Sequence, residues 1–166
     1  DKSDEEIDKL TFKFLDQIQK KLSKNSESEL NFEILDKAVH NQPIYINGIS
    51  YISLCEHHML PFHGSVNIAV FPKKNILGIS KFSDLVSHLS NNLTLQEKLT
   101  EKIATFIYEI LDADGVFVKM SGKHLCSDLL NAKNGCTAKA ISLVNVDKHP
   151  IKPSLNNFLS FSYQRN

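Results

Sequence analysis

Apolar residues recur at helical spacing in three stretches of the chain, and each stretch has its own start or stop signal. The first has Ser3 or Asp4 as its N-cap and ends in the polar cluster Ser23–Glu29. The second begins at Ser80, which is expected to cap it, and the third is stopped by Asp114-Gly115. The apolar positions of the three predicted helices are Ile7, Leu10, Phe14, Ile18 and Leu22; Phe82, Leu85, Val86 and Leu89; and Leu95, Leu99, Ile103, Phe106, Ile107 and Ile110.

Residues of β-branched or alternating character predict strands between and after these helices. Ile44–Leu54 is typical of a strand with a kink at Gly48, and Ser65–Phe71 alternates as a half-buried strand does. The turn Pro72–Asn75 predicts a hairpin between that strand and Ile76–Ile79. The other predicted elements are a short helix at Phe32–Val39, strands at Val116–Met120 and Ala138–Val146, and a last helix around Leu155–Phe161.

The order helix, strands, two helices, strands indicates an α+β fold with an antiparallel sheet and two packed helices. Pro43 separates an N-terminal helical segment, residues 1–43, from a domain of residues 44–166. The strands are too few to close a barrel within one chain. We therefore expect the sheet edges to pair with other copies in a homo-oligomer.

Composition narrows the class of protein. The chain has 19 basic and 19 acidic side chains and is 42% hydrophobic, as in a soluble globular protein. The zero net charge gives no support for a nucleic-acid partner, and no apolar run is long enough to span a membrane. Three cysteines are too few for a disulfide framework. They favour metal binding or free thiols in a reducing compartment, so a cytoplasmic location is expected.

Two groups of Cys and His predict a metal site. Cys55 and His58 lie three residues apart after a β-branched run, and Cys126 follows His124 by two residues. Zinc binds such nitrogen and sulfur ligands in tetrahedral geometry. Cys55, His58 and Cys126 would leave the fourth position for water, as a catalytic zinc needs. A structural site with Cys136 as the fourth protein ligand is the alternative.

Two histidines beside these ligands, His57 and His124, favour the catalytic interpretation. Histidine titrates near neutral pH and suits proton transfer. Glu56 either orients one of these imidazoles or is a surface residue.

Two further polar pairs have both a structural and a binding interpretation. Ser80 and Lys81 begin a helix, where amide groups and the helix dipole favour an anion, although an ordinary Ser cap is the simpler explanation. Gln96 and Glu97 begin the next helix, where they either satisfy the helix terminus or bind the edge of a guanine-like ring.

These motifs resemble those of the GTP cyclohydrolase I family. The resemblance covers about residues 49–144, with a weaker echo at Phe158-Leu159. Four motifs in the family's order carry it: Cys55-Glu56-His57-His58 followed by Leu60-Pro61-Phe62, Gly78-Ile79-Ser80-Lys81, Leu95-Gln96-Glu97-Lys98-Leu99-Thr100, and His124-Leu125-Cys126.

The resemblance implies a tunnelling fold (T-fold) for residues 44–166, with strands pooled into pentameric rings, rings paired into a decamer, and active sites at subunit interfaces. The implied reaction is hydrolytic opening of the guanine imidazole ring of GTP. It releases formate and gives 7,8-dihydroneopterin triphosphate, the first step of pterin and folate biosynthesis. The implied site residues are the zinc ligands Cys55, His58 and Cys126, the proton-transfer residues His57 and His124, the guanine ligands Gln96 and Glu97, and the triphosphate ligands Ser80 and Lys81.

The chain departs from the family where phosphate is bound. The family has an arginine shortly after the Ser-Lys pair, where this chain has Asp84, and an Arg-Gly after the His-x-Cys motif, where it has Leu130-Asn131. A Thr-Pro-x-Arg segment that the family has before its first strands has no counterpart here, and the one arginine is Arg165. Because arginine binds phosphate through a bidentate fork, we expect weaker binding of a triphosphate.

Three functions therefore stay open. The chain is a GTP cyclohydrolase I, a T-fold zinc hydrolase acting on a less phosphorylated purine-like substrate, or a non-catalytic pterin- or nucleotide-binding homologue. The intact metal and proton-transfer residues favour an enzyme, whereas the missing arginines favour the other two functions. The lysines that could compensate for the arginines as point charges are Lys123, Lys133 and Lys139.

Overall fold

The computed structural model of the chain describes residues 2–23, 32, 34–36, 42–130 and 136–145, and these form four helices and seven strands. The α+β class is confirmed. In chain order the elements are α1 (Asp4–Leu22), β1 (Ile34–Asp36), β2 (Ile44–Cys55), β3 (Pro61–Phe71), β4 (Asn75–Leu77), α2 (Ile79–Ser90), β5 (Leu93–Thr94), α3 (Gln96–Leu111), β6 (Gly115–His124), α4 (Leu125–Leu130) and β7 (Thr137–Val144).

A five-stranded sheet in the order β5-β2-β3-β6-β7 is the centre of the fold. Its long strands pair antiparallel, and the short β5 pairs parallel with the end of β2. The register sets Leu54 opposite Pro61, Phe62 opposite His124, and Lys123 opposite Thr137. The end of β2, the start of β3, the end of β6 and the start of β7 therefore meet at one end of the sheet, which we call the site end.

Helices α2 and α3 pack against one face of this sheet and bury their apolar stripes there. On the α2 side the stripe is Phe82, Leu85, Val86 and Leu89, all at most 2% exposed. The strands alternate accordingly, with Val66 and Ile68 of β3 fully buried in the same core. Burying each such side chain is worth about 1.5–3 kcal/mol, so the helices hold the sheet in one fixed arrangement.

The predicted kink of the first long strand is confirmed at Gly48. The β2–β3 register shifts between Ile46 and Ile49, and Gly48 has φ 76°, a left-handed conformation that glycine adopts without strain. Its amide donates to Asn67 Oδ1 at 2.8 Å, which satisfies the N–H that the bulge removes from the ladder.

Two predictions about the segments outside the main sheet are wrong. The predicted helix Phe32–Val39 contains a strand instead, since Ile34–Asp36 pairs antiparallel with Asn75–Leu77. For the same reason Asn75–Leu77 forms no hairpin with Ser65–Phe71. The turn signal at residue 72 was real, but a turn does not determine which strand the following residues pair with.

The helix starts give one confirmed prediction and one correction. Ser3 caps α1 in a capping box, accepting from the Glu6 amide at 3.3 Å while its own amide donates to Glu6 at 3.0 Å. Ser80 does not cap α2, because the helix already begins at Ile79. Gly78 is its N-cap, and no side chain bonds to the helix start there. Neither β5 nor α4 was predicted.

Some predictions stay untested. The last helix around Leu155–Phe161 and the compensating Lys133 lie outside the described residues. The division of the chain at residue 43 also stays a prediction. Across the described part of the chain, no helix is long and apolar enough to cross a membrane.

Candidate active site

Cys55 and the two neighbouring histidines lie at the site end, where β2 turns back into β3. The turn is closed by two backbone bonds, from the Met59 amide to the Cys55 carbonyl at 2.8 Å and from the Cys55 amide to the Leu60 carbonyl at 2.9 Å. Met59 adopts a left-handed φ of 54° to allow this. Cys55 is 5% exposed, whereas His57 and His58 are exposed on the turn with ring centroids 6.1 Å apart.

His124 and Cys126 reach the same end from the other side of β3. His124 is the last residue of β6, and its ring stacks on Phe62 with centroids 4.8 Å apart and planes 5° apart. Cys126 follows in the first turn of α4 and is half-buried. Since neighbouring strands are about 4.8 Å apart, roughly 10 Å separates the backbones of β2 and β6.

The predicted zinc ligands share this end of the sheet but are not assembled around a common point. No three His, Cys, Asp or Glu side chains among the described residues are grouped so that they could hold a metal ion. Cys55 and Cys126 are free thiols, and with His58 they make a donor set whose chemistry suits zinc. The three residues therefore fit zinc in donor type and share one end of the sheet. Cys136, the alternative ligand, is exposed and lies 3.4 Å from Ser127 Oγ.

Gln96 is the most buried polar residue of the predicted site, at 1% exposed. Its amide nitrogen donates to the Ala138 carbonyl at 3.2 Å. Its oxygen lies 2.9 Å from His124 Nε2 and 3.4 Å from the Tyr51 hydroxyl. The structure thus joins two predicted residues, Gln96 and His124, and adds Tyr51, which sequence reasoning missed because an inward tyrosine in a strand gives no signal beyond packing.

Glu97 and Glu56 differ from Gln96 in facing solvent. Glu97 is exposed in the first turn of α3. Glu56 pairs with Lys98 at 2.7 Å, with both side chains partly exposed. Of the two interpretations of Glu56, the structure therefore favours the surface residue. An exposed pair of this kind contributes between about 0 and 1 kcal/mol.

Ser80 and Lys81 lie away from the other predicted residues. They are in the first turn of α2, whereas the opposite end of that helix is tied to β2 by the Ser53 hydroxyl, which donates to the Asn92 carbonyl at 2.9 Å. A rise of about 1.5 Å per residue puts roughly 15 Å of helix between Ser80 and Ser90. Lys81 also pairs with Asp84 at 3.1 Å within its own helix. The described part of one chain does not bring the predicted phosphate ligands to the site end.

A shallow depression of about 390 Å³ lies beside the hydrogen-bonded group of Gln96, His124 and Tyr51, between β2 and the C-terminal end of α2. It is lined by Ser50, Tyr51, Ile52, His63, Ser87, Ser90 and Asn91. Tyr51 is the one residue that it shares with the Gln96 network.

Comparisons with known protein sequences all match one family. A family model described as GTP cyclohydrolase I matches residues 3–146. The chain is 43% identical over 104 residues to a GTP cyclohydrolase 1 of Fusobacterium nucleatum, covering 61% of this chain and 56% of that protein. It is 44% identical over 103 residues to a GTP cyclohydrolase 1 of Pseudoalteromonas atlantica, covering 62% and 55%. The chain thus spans about half the length of the curated relatives it matches.

Among solved structures, the chain is similar to an archaeosine synthase QueF-Like protein in the apo form. The TM-score is 0.50 at 15% identity, and the match covers 64% of this chain and 97% of the other. At this identity the likeness concerns the fold alone. It confirms the predicted T-fold.

Proposed function

Because the chain belongs to the GTP cyclohydrolase I family, we propose that it opens the guanine imidazole ring of GTP by hydrolysis. One water is consumed in the net reaction, and the products are formate and 7,8-dihydroneopterin triphosphate. The observation that carries this proposal is the meeting of Cys55, Gln96, His124 and Cys126 at one end of the sheet, although they come from four separate elements.

We propose zinc as the cofactor, held by Cys55, His58 and Cys126. When bound there, the ion would supply the Lewis acidity that activates a water near neutral pH. Support comes from the donor chemistry and from the location of His58, which is exposed on the turn that directly follows Cys55. The three free thiols also support a cytoplasmic location.

The imidazoles are proposed to move protons. The Gln96 amide oxygen can only accept, so His124 donates to it through Nε2 and keeps Nδ1 as a proton acceptor. Phe62 holds the His124 ring in place by stacking. His57, exposed on the adjacent turn, is the second proposed proton-transfer residue, and Glu97 is proposed to bind the guanine edge.

A second copy of the chain is proposed to complete the site. The predicted phosphate ligands Ser80 and Lys81 lie about 15 Å of helix away from the end of α2 that contacts β2, so the described part of one chain does not place them beside the residues of the site end. Among the described residues, β7 is an edge of the sheet and β5 covers only Leu54 and Cys55 of β2. Two open edges of this kind suit pairing between copies in a ring, and we propose a pentamer or decamer on the strength of the family.

One observation favours a second candidate function, hydrolysis of a purine-like substrate that carries less phosphate. Lys81 forms its ion pair with Asp84, and a carboxylate at that position repels a phosphate as well as competing for the ammonium group. A nucleoside or a monophosphate would suffer less from this than a triphosphate does.

The test is a substrate panel. Zinc-loaded protein is incubated separately with GTP, GMP and guanosine, and formate and pterin fluorescence are measured. Formate from GTP that is abolished by Cys126→Ala supports the proposed reaction. Cys136→Ala is the matched control and should keep the activity, because Cys136 is exposed and outside the proposed ligand set.

The other outcomes of the panel also decide. Turnover of GMP or guanosine without GTP would replace the proposal by the second candidate. No turnover of any of the three, with zinc bound in equal amount to the chain, would contradict both.

A further inference from the structure

Tyr51 contacts both of the side chains that hold His124. It is 6% exposed on the inner face of β2, and its hydroxyl lies 3.4 Å from Gln96 Oε1. Its ring meets that of Phe62 edge to face, with centroids 5.9 Å apart, and Phe62 in turn stacks on His124. Tyr51 therefore supports the His124 imidazole in two ways, through an apolar contact with Phe62 and through a polar contact with Gln96.

The hydrogen bonds of Gln96 determine which way its amide points. The Ala138 carbonyl can only accept, so it requires the amide nitrogen, which lies 3.2 Å away. The oxygen then faces His124 and Tyr51. A flipped amide would set its oxygen against the Ala138 carbonyl oxygen, and that oxygen would no longer accept from His124 and Tyr51. The observed orientation is therefore the satisfied one.

This orientation also selects the tautomer of His124. With an amide oxygen 2.9 Å from Nε2, a neutral imidazole bonds only when Nε2 carries the proton, which leaves Nδ1 with its lone pair. The Tyr51 hydroxyl donates to the same oxygen. It could accept from the nitrogen of a flipped amide, but its own buried proton would then lose the acceptor that it has among the described residues, so the hydroxyl also favours the observed orientation. Burial raises the pKa of Tyr51, so the phenol keeps that proton throughout the neutral range.

Gly122 leaves the space that this arrangement needs. A Cβ at residue 122 would clash with the Tyr51 hydroxyl and would lie 2.7 Å from Gln96 Oε1. The backbone of β6 therefore passes close to the hydroxyl and the amide at the same point, and the contact between them depends on a residue without a side chain there.

We propose that Tyr51 is a positioning residue for the reaction, whose hydroxyl keeps the Gln96 amide oxygen toward His124 and so keeps His124 protonated at Nε2 with Nδ1 able to accept a proton. The kinetic part of this inference rests on the proposed function. The structural part does not, because the tautomer of His124 can be measured without any turnover.

The test compares the full chain with Tyr51→Phe, which removes the hydroxyl and keeps the ring. Metal-free protein labelled with ¹⁵N-histidine is studied by magic-angle-spinning NMR above the titration range of imidazole, with His124→Asn used to assign the signals. We expect His124 to show protonated Nε2 and unprotonated Nδ1 in the native chain, and a mixture of both tautomers in Tyr51→Phe. Tyr45→Phe, on the same strand but outside the Gln96 network, is the matched control and should leave the His124 signals unchanged.

A kinetic comparison follows if the native chain turns over GTP. Loss of one hydrogen bond to the positioned amide should lower kcat of Tyr51→Phe by about tenfold, the effect of roughly 1.4 kcal/mol in the barrier, while KM changes by less than about twofold. Unchanged His124 nitrogen signals in a folded Tyr51→Phe protein would overturn the inference. An inactive native chain with the expected tautomer change would overturn the proposed function and leave the structural part of this inference standing.

Discussion

At the scale of the residue, Phe62 connects the core to the candidate site. It is 0% exposed, its ring contacts Tyr51 on one side and His124 on the other, and it is the second residue of β3, the strand that separates β2 from β6. The same side chain therefore contributes to stability and fixes the plane of an imidazole. Sequence reasoning found His124 and Gln96 from their motifs, but it could not find that they bond each other, because that contact depends on where α3 starts relative to β6.

Removal of the Phe62 ring should destabilise the protein strongly. Phe62→Ala leaves a cavity at a fully buried position, so we expect the free energy of unfolding to fall by about 3–5 kcal/mol, measured by denaturant unfolding. Phe12→Ala is the control, since Phe12 is 73% exposed on α1 and its loss should change stability by less than about 0.5 kcal/mol. Equal effects of the two substitutions would contradict this description of the core.

Gly122 gives a second prediction at the same scale. Gly122→Ala forces a Cβ into the space of the Tyr51 hydroxyl and the Gln96 amide, so we expect a loss of about 1–3 kcal/mol from overpacking. Ser121→Ala, at the neighbouring position of β6, is the control and should cost less, because it adds no atom to the core. A Gly122→Ala protein as stable as Ser121→Ala would show that the amide and hydroxyl are not held as described.

At the scale of the element, the spacing of apolar residues predicts the long helices and strands but not the short ones. The structure confirms the predicted apolar stripes of α2 and α3 and the alternation of β3. Burial on one face imposes a repeat that extends over many residues, so the sequence carries a clear pattern there. The three-residue strand β1 carries no repeat, and its pairing with β4 depends on a distant partner. A serine at residue 80 suggested a cap, but the helix begins where the chain leaves β4, one residue before it.

The attachment of α2 to the sheet can be tested through Ser53. Its side chain is fully buried and donates to the Asn92 carbonyl at 2.9 Å, so Ser53→Ala leaves that carbonyl without this donor. We expect a loss of about 1–2 kcal/mol in unfolding free energy. Ser50→Ala, on the same strand but exposed, should be close to neutral. A Ser53→Ala protein of native stability would mean that this bond does not fasten the helix end.

At the scale of the whole molecule, the candidate residues divide into two groups. Those of the site end come from β2, α3, β6 and α4, and the predicted phosphate ligands begin α2. No pattern along the sequence could reveal this separation, since both groups belong to one family's motifs and only the packing direction of α2 sets them apart. The proposal of an active site shared between copies rests on this separation and on the two sheet edges that the described residues leave open.

Mixed oligomers test the shared site. Lys81→Ala and Cys126→Ala should each abolish most activity alone, and co-expression of the two should restore about a quarter of it, because random assembly juxtaposes the two intact surfaces at that frequency. Co-assembly is checked with two affinity tags. Mixed oligomers without recovered activity would contradict a site that takes Lys81 from one copy and Cys126 from another.

The proposed reaction removes one carbon atom, C8, from the guanine ring of GTP. GTP labelled with ¹³C at C8 is added to the zinc-loaded protein, and the reaction is followed by ¹³C NMR. If the proposed reaction occurs, the label leaves as formate in an amount equal to the pterin formed, and Cys126→Ala stops both. Label that stays in the purine ring, with phosphate released or no product at all, would contradict it.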